Sequence, residues 1–113
     1  MRLPTERLRD ILEAIEHIER YTVQGRTAFD RDELIQNWVV RHLQIVGEAA
    51  NALPEAIRML DASVPWRSII GMRHILVHHY FVVDLAVTWE VVETHLPNLK
   101  RAVSALLSQL EQP

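Results

Sequence analysis

The sequence predicts an all-α chain, an up-and-down antiparallel bundle of four main helices plus a short one, on three observations. Apolar residues recur at helical spacing almost everywhere along the 113 residues. No segment shows a convincing strand pattern, and there is no internal repeat or low-complexity stretch. The connectors between the periodic segments are short, as antiparallel neighbours in a bundle require.

The first helix is expected to start near Thr5, with Leu8, Ile11, Leu12, Ile15, Ile18 and Thr22 on one face. Glu6 and Asp10 place acids near its positive end, and Gly25 supplies a left-handed cap after its last turn. A second helix begins near Asp30 or Asp32, either of which can cap it. Its stripe is Leu34, Ile35, Trp38, Val39, His42, Ile45, Val46, Ala49 and Leu53. Gly47, Ala49 and Ala50 are small enough to let a neighbouring helix come close. Pro54 stops this helix or opens a short one over Glu55–Leu60.

Asp61–Pro65 is a connector, and Trp66–His79 reads as a third long helix with Trp66, Ile69, Ile70, Leu76 and Val77 inward. The last helix starts after Val83 with Asp84 as its cap and runs to about Gln109. Leu85, Trp89, Val92, Leu96, Leu99, Val103, Leu106 and Leu110 form its stripe, and Pro97 should kink it near His95. The whole chain, 1–113, is expected to be one helical domain, long enough to bury a core without staples.

Composition narrows the function classes. There is no cysteine, so a disulfide framework or a thiolate metal site is excluded. Met1–Arg9 has no apolar signal region and no apolar run approaches a membrane span, so a cytoplasmic protein with no membrane partner is expected. A formal charge of −3 argues against a broad, sequence-independent nucleic-acid surface. A focused positive site remains open, because Arg67, Arg73, His74, His78 and His79 fall in a segment without an acid.

That segment, residues 66–81, is where chemistry is expected. An ordinary solvated helix face would carry Glu, Lys and Gln, whereas this one carries groups that bind phosphate or move protons near neutral pH. The structural alternative is that Arg73 pairs at an interface and the histidines are half-buried, satisfied residues. On a continuous helix, Arg73 and Tyr80 would lie almost in line, two turns apart. His78 would sit about 140° from Arg73 around the axis, so the two converge poorly within one helix. A twofold axis beside the helix would pool the groups of two copies, which favours a homodimeric site.

Residues 73–80 read Arg-x4-His-x-Tyr, with Arg73, His78 and Tyr80 at the fixed positions. The sequence here resembles the HepT-like toxins of the HEPN superfamily. The likeness extends to Ile45–Ala49, Pro65-Trp66, Gly71–Arg73, Phe81-x-x-Asp84 and Leu96-Pro97-x-Leu99, in order over about residues 5 to 107. It implies a helical homodimer that cuts RNA without a metal or cofactor, with Arg73 and His78 as the catalytic pair. It also implies that Tyr80 is adenylylated by a minimal nucleotidyltransferase antitoxin using ATP, which silences a toxin of a type II toxin–antitoxin system. The family commonly has Asn or Asp after the motif arginine; here His74 stands there. The alternative function is a non-catalytic HEPN dimer that docks a nucleotidyltransferase and binds nucleotide; an intact Arg73, His78 and Tyr80 favours the enzyme.

The chemistry can be argued without the family. Metal-free RNA cleavage uses the 2′-hydroxyl as nucleophile and needs a base, an acid and a cation on the phosphorane. An imidazole, with a reference pKa of about 6.5, can serve as base or acid. An arginine gives two non-bridging oxygens a planar fork. Among other candidates, His74 and His78 have a metal-like i, i+4 spacing but no third ligand nearby, so no metal is expected. His79 is taken as a spacer. Glu48 would be costly to bury alone and is expected to pair with an arginine such as Arg73, supporting it. Trp38, Trp66 and Trp89 are read as packing, and His17, His42 and His95 as unconnected.

Overall fold

Pro4 opens helix α1, Pro4–Thr22, in the first turn, where a missing N–H costs nothing. The Leu3 N–H is taken by the Glu6 carboxylate at 2.8 Å, fixing the helix start. The computed structural model describes residues 2–77 and 82–112, and among these the regular structure is helical, with a single isolated antiparallel bridge. The expected all-α class is found. Gly25 has φ of 94°, as a residue without a Cβ allows, but it opens a short helix α2, Arg26–Arg31, that periodicity did not reveal. Six residues are too few to display an amphipathic repeat.

Helix α3, Glu33–Ala52, is capped by Asp32, whose carboxylate accepts from the Leu34 and Ile35 N–H groups at 2.9 and 3.3 Å. It stops before Pro54, which leads into α4, Glu55–Arg58, and a 3-10 turn, Met59–Asp61. The expected stripe of α3 needs correction: Leu34 is 81% exposed, while Val40 and Leu43, absent from that stripe, are buried.

The third long helix is a larger correction. The segment expected as one helix over Trp66–His79 forms α5, Trp66–Ile70, and α6, Met72–Leu76. Gly71, at φ −89° and ψ 13°, separates them, and the His74 N–H turns back to the Gly71 carbonyl at 3.1 Å. Trp66 fixes the start of α5 by donating its indole N–H to the Arg58 and Asp61 carbonyls at 2.9 and 3.0 Å. After Leu76 the chain is extended at Val77. A helical projection from Arg73 to residues beyond Leu76 therefore has no basis, and the angular argument for a twofold site does not apply to this backbone.

Asp84 caps α7, Leu85–Glu90, as expected. A π-helical turn over Val91–His95 then joins α7 to α8, Leu96–Glu111. This is the irregularity expected near His95: Pro97 has no N–H to give the preceding turn, and the ladder shifts to the wider i, i−5 spacing, Leu96 N–H to Val91 carbonyl.

Helix α1 lies between α3 and α8 and runs antiparallel to both. Trp38 donates its indole N–H to the His17 carbonyl at 2.7 Å across α1–α3. Lys100–Glu19 and Arg9–Glu111 ion pairs join the opposite ends of α1 and α8. The core between them is Leu8, Ile11, Ile15 and Ile18 of α1, Val39, Leu43 and Val46 of α3, and Val103 and Leu106 of α8, each at most 2% exposed. No described helix is long and apolar enough to cross a membrane.

Gly47 is where α3 admits α5. A Cβ built there would stand 2.9 Å from the Ile69 carbonyl oxygen and 3.4 Å from that of Ile70, both rigid backbone atoms. Gly47→Ala would gain about 1 kcal/mol in helix propensity and lose about 1–3 kcal/mol to overpacking. Since backbone must yield, the net should be destabilising by about 1 kcal/mol, read as a lower denaturant midpoint at unchanged m-value.

Candidate active site

Arg73 lies near the middle of α6 and is exposed, as are His74 and Ile75. The neighbours Met72 and Leu76 are buried, so α6 is anchored by its apolar side and presents the arginine and His74 outward. Consecutive helical residues diverge by about 100°, so Arg73 and His74 do not share one direction. The backbone around Arg73 is well held: its carbonyl accepts the Val77 N–H at 3.1 Å, closing the last turn of α6.

His78, His79, Tyr80 and Phe81 lie outside the described residues, so the structure gives no distance between Arg73 and His78 or Tyr80. The ends of that segment are described. Val77 and Val83 form an antiparallel bridge, and the Asp84 N–H donates to the Leu76 carbonyl at 2.7 Å. The chain therefore leaves α6 and returns beside it before α7 begins. The i, i+4 argument for His74 and His78 as metal ligands does not apply, because α6 ends between them. Among the described residues no group of three or more His, Asp or Glu is placed to hold a metal ion.

Glu48 follows Gly47 on α3, at the level where α3 meets α5, and its side chain is exposed. The expected desolvation cost does not arise. The ion pairs seen among the described residues do not involve Glu48.

Trp66 and Trp89 are core residues, each 8% exposed, as read from the sequence; Trp38 is half-buried. Trp38 instead joins a ring cluster with Tyr21, His17 and His42 across α1 and α3. The His17 and His42 ring centroids are 4.9 Å apart, and Trp38 lies 4.3 Å from His42 and 5.3 Å from Tyr21. Sequence reasoning held His17 and His42 to be unconnected; they meet because α1 and α3 pack antiparallel, with residue 17 level with 38 and 42. His42 Nδ1 is bonded to the Trp38 carbonyl at 2.8 Å, while His17 Nδ1 is buried without a partner.

A cleft of about 480 Å³ lies between α5–α6 and α7–α8, walled by Ile69, Met72, Ile75, Val91, Leu96 and Leu99. Ile69, Leu96 and Leu99 were read as core-stripe residues, while Met72, Ile75 and Val91 fell outside the expected stripes, so periodicity did not reveal the cleft. Arg73 and His74 do not line it.

An exposed arginine on a short anchored helix, with Val77 bridged to Val83 just beyond it, is the described frame of this site, in an all-helical fold. Residues 11–106 match the family described as Ribonuclease HepT-like, and the chain belongs to that family. It is 42% identical over 94 residues to a Thermococcus cleftensis protein named "Probable ribonuclease HepT", covering 82% of this chain and 86% of the relative. It is 36% identical over 110 residues to a Caldanaerobacter subterraneus protein named a "Putative RNase", covering 96% and 98%. A Methanocaldococcus jannaschii protein named "Gamma-glutamylcyclotransferase and putative RNase" is 39% identical over 106 residues. The match covers 93% of this chain but 48% of that longer relative. No solved structure gives a significant match.

Proposed function

We propose that this chain is a metal-independent endoribonuclease, the toxin of a type II toxin–antitoxin pair in the cytoplasm, acting as a homodimeric HEPN domain over residues 1–113. The observation that carries the reading is the family match over residues 11–106, with the motif arginine, Arg73, on an exposed turn of α6. In this reading the helices form an up-and-down bundle that pairs about a twofold axis near residues 73–81. The exposed Arg73, His74 and Ile75 surface supports that choice of face.

Arg73 would hold the two non-bridging phosphate oxygens through its planar fork and stabilise the charge that grows on the phosphorane. His78 of one copy would take the proton from the 2′-hydroxyl as that oxygen attacks phosphorus, and His78 of the other would protonate the departing 5′-oxygen. The products would be a 2′,3′-cyclic phosphate and a 5′-hydroxyl. His74 and Glu48 are supporting residues, polar groups on α6 and on the adjoining stretch of α3. Tyr80 is the site at which a nucleotidyltransferase partner would use ATP to silence the enzyme.

Purified protein incubated with single-stranded RNA should cut it equally well with and without a chelator, leave the products named above, and leave DNA of the same sequence intact. Cleavage lost on chelation would mean a metal mechanism. Sedimentation at tens of micromolar should show a dimer, and a monomer that cuts RNA would remove the shared site.

A further inference from the structure

Asp84 uses all three of its polar groups to join α6 to α7. Its N–H donates to the Leu76 carbonyl at 2.7 Å, satisfying one of the acceptors that the end of α6 leaves open. Its carboxylate accepts the Val87 N–H at 3.1 Å and caps α7. Its carbonyl accepts the Thr88 N–H at 2.9 Å and the Thr88 hydroxyl at 2.7 Å. Thr88 is fully buried, so that hydroxyl has no water to turn to. One residue earlier, Val83 pairs with Val77. The two chain ends that flank residues 78–81 are thus held side by side, four residues beyond Arg73.

We infer that Asp84 is a positioning residue: by locking the start of α7 onto the end of α6 it fixes both ends of the 78–81 segment relative to Arg73. This rests on the ribonuclease reading, in which Arg73 and His78 must act on one phosphate. A shift of about 1 Å between such groups can cost about 100-fold in rate. Substrate binding depends mainly on phosphate contacts, so a loosened junction should slow turnover far more than it weakens binding. Thr88 serves the same junction from below, through the Asp84 carbonyl.

The experiment compares wild type, Asp84→Ala, Asp84→Asn and Thr88→Val in steady-state cleavage of an oligoribonucleotide, together with native-state hydrogen exchange. Asp84→Ala and Thr88→Val should lower kcat by about 10- to 100-fold with KM changed by less than about threefold. Asp84→Asn caps as well as aspartate and should stay within about threefold of wild type in kcat. The residue-84 amide, bonded to the Leu76 carbonyl, should exchange faster in the two slow variants, while core amides of α1 and α3 keep their protection. Wild-type kcat in Asp84→Ala with that amide deprotected would overturn the inference. So would an Asp84→Asn as slow as Asp84→Ala with the amide still protected, since the carboxylate charge would then be what matters. A wild type that cuts no RNA overturns the ribonuclease reading itself, and with it the role; that failure is distinguished by being present before any substitution.

Discussion

Arg73→Lys should cut RNA at least about 100-fold more slowly than wild type, although it keeps the charge. The guanidinium presents parallel donors to two oxygens at once, whereas an ammonium is a point charge on a flexible stem. Loss of one fixed donor to a developing oxyanion costs about 10²–10³ in kcat in comparable sites. Arg73 is exposed on α6, so the replacement leaves no cavity and the denaturation midpoint should hardly move. His78→Ala tests the other half of the pair, and removing a general acid–base group should cost about 10²–10⁴. In a homodimer the sharing of the site can be tested further. Mixed dimers of wild-type and His78→Ala protomers hold one imidazole: a shared site that needs both should leave them near the His78→Ala rate, whereas separate sites should keep roughly half of the wild-type rate. Wild-type rates in His78→Ala would overturn the proposed mechanism. A rate restored by added imidazole would support it, because imidazole replaces the missing proton carrier and not a packing contact.

How much of this could be read in the sequence depended on length and on which atoms carried the signal. Helices α1, α3 and α8 each run at least 16 residues, and their apolar periods identified them and most of their core. The caps at Asp32 and Asp84 were legible because capping is a local event between a carboxylate and backbone two or three residues on. The break at Gly71 was not: Met72 and Leu76 continue the apolar pattern of Trp66 and Ile69, so periodicity carried straight through it. A mid-helix glycine is tolerated at about 1 kcal/mol, so Gly71 alone did not mark a break, whereas the small residue Gly47 did signal the close approach that α5 makes there. The meeting of His17 with His42 and the Leu76–Asp84 bond had no local signature, each being made across two elements. Arg73, by contrast, was singled out by its type, its company and the Arg-x4-His-x-Tyr resemblance, and it lies exposed on α6. The pairing of Glu48 with Arg73 was argued from a burial that Glu48 does not have.

Tyr80→Phe should remain a nuclease and become insensitive to the silencing partner. In the proposed control, the phenol oxygen of Tyr80 attacks the α-phosphorus of ATP, an O–P bond forms, pyrophosphate leaves, and the phenol proton is released to a base. The product carries AMP through a phosphodiester with one negative charge. Tyr80 follows Val77 by three residues, which limits its Cα to within about 11 Å of the end of the α6 turn. An AMP tethered there has a high effective concentration at Arg73, of millimolar order for short tethers. It would compete with the RNA phosphate for the same guanidinium, and its bulk would obstruct the strand. Inhibition should therefore appear mostly as loss of productive RNA binding, and wild-type protein treated with a minimal nucleotidyltransferase and ATP should fall to background cleavage. Phenylalanine keeps the ring and removes the acceptor oxygen, so Tyr80→Phe treated in the same way should cut at its untreated rate. Intact mass should rise by one or more AMP units in wild type and not at all in Tyr80→Phe. An adduct mapped to any other residue, or a fully adenylylated wild type that still cuts RNA at the untreated rate, would overturn this control while leaving the roles of Arg73 and His78 standing.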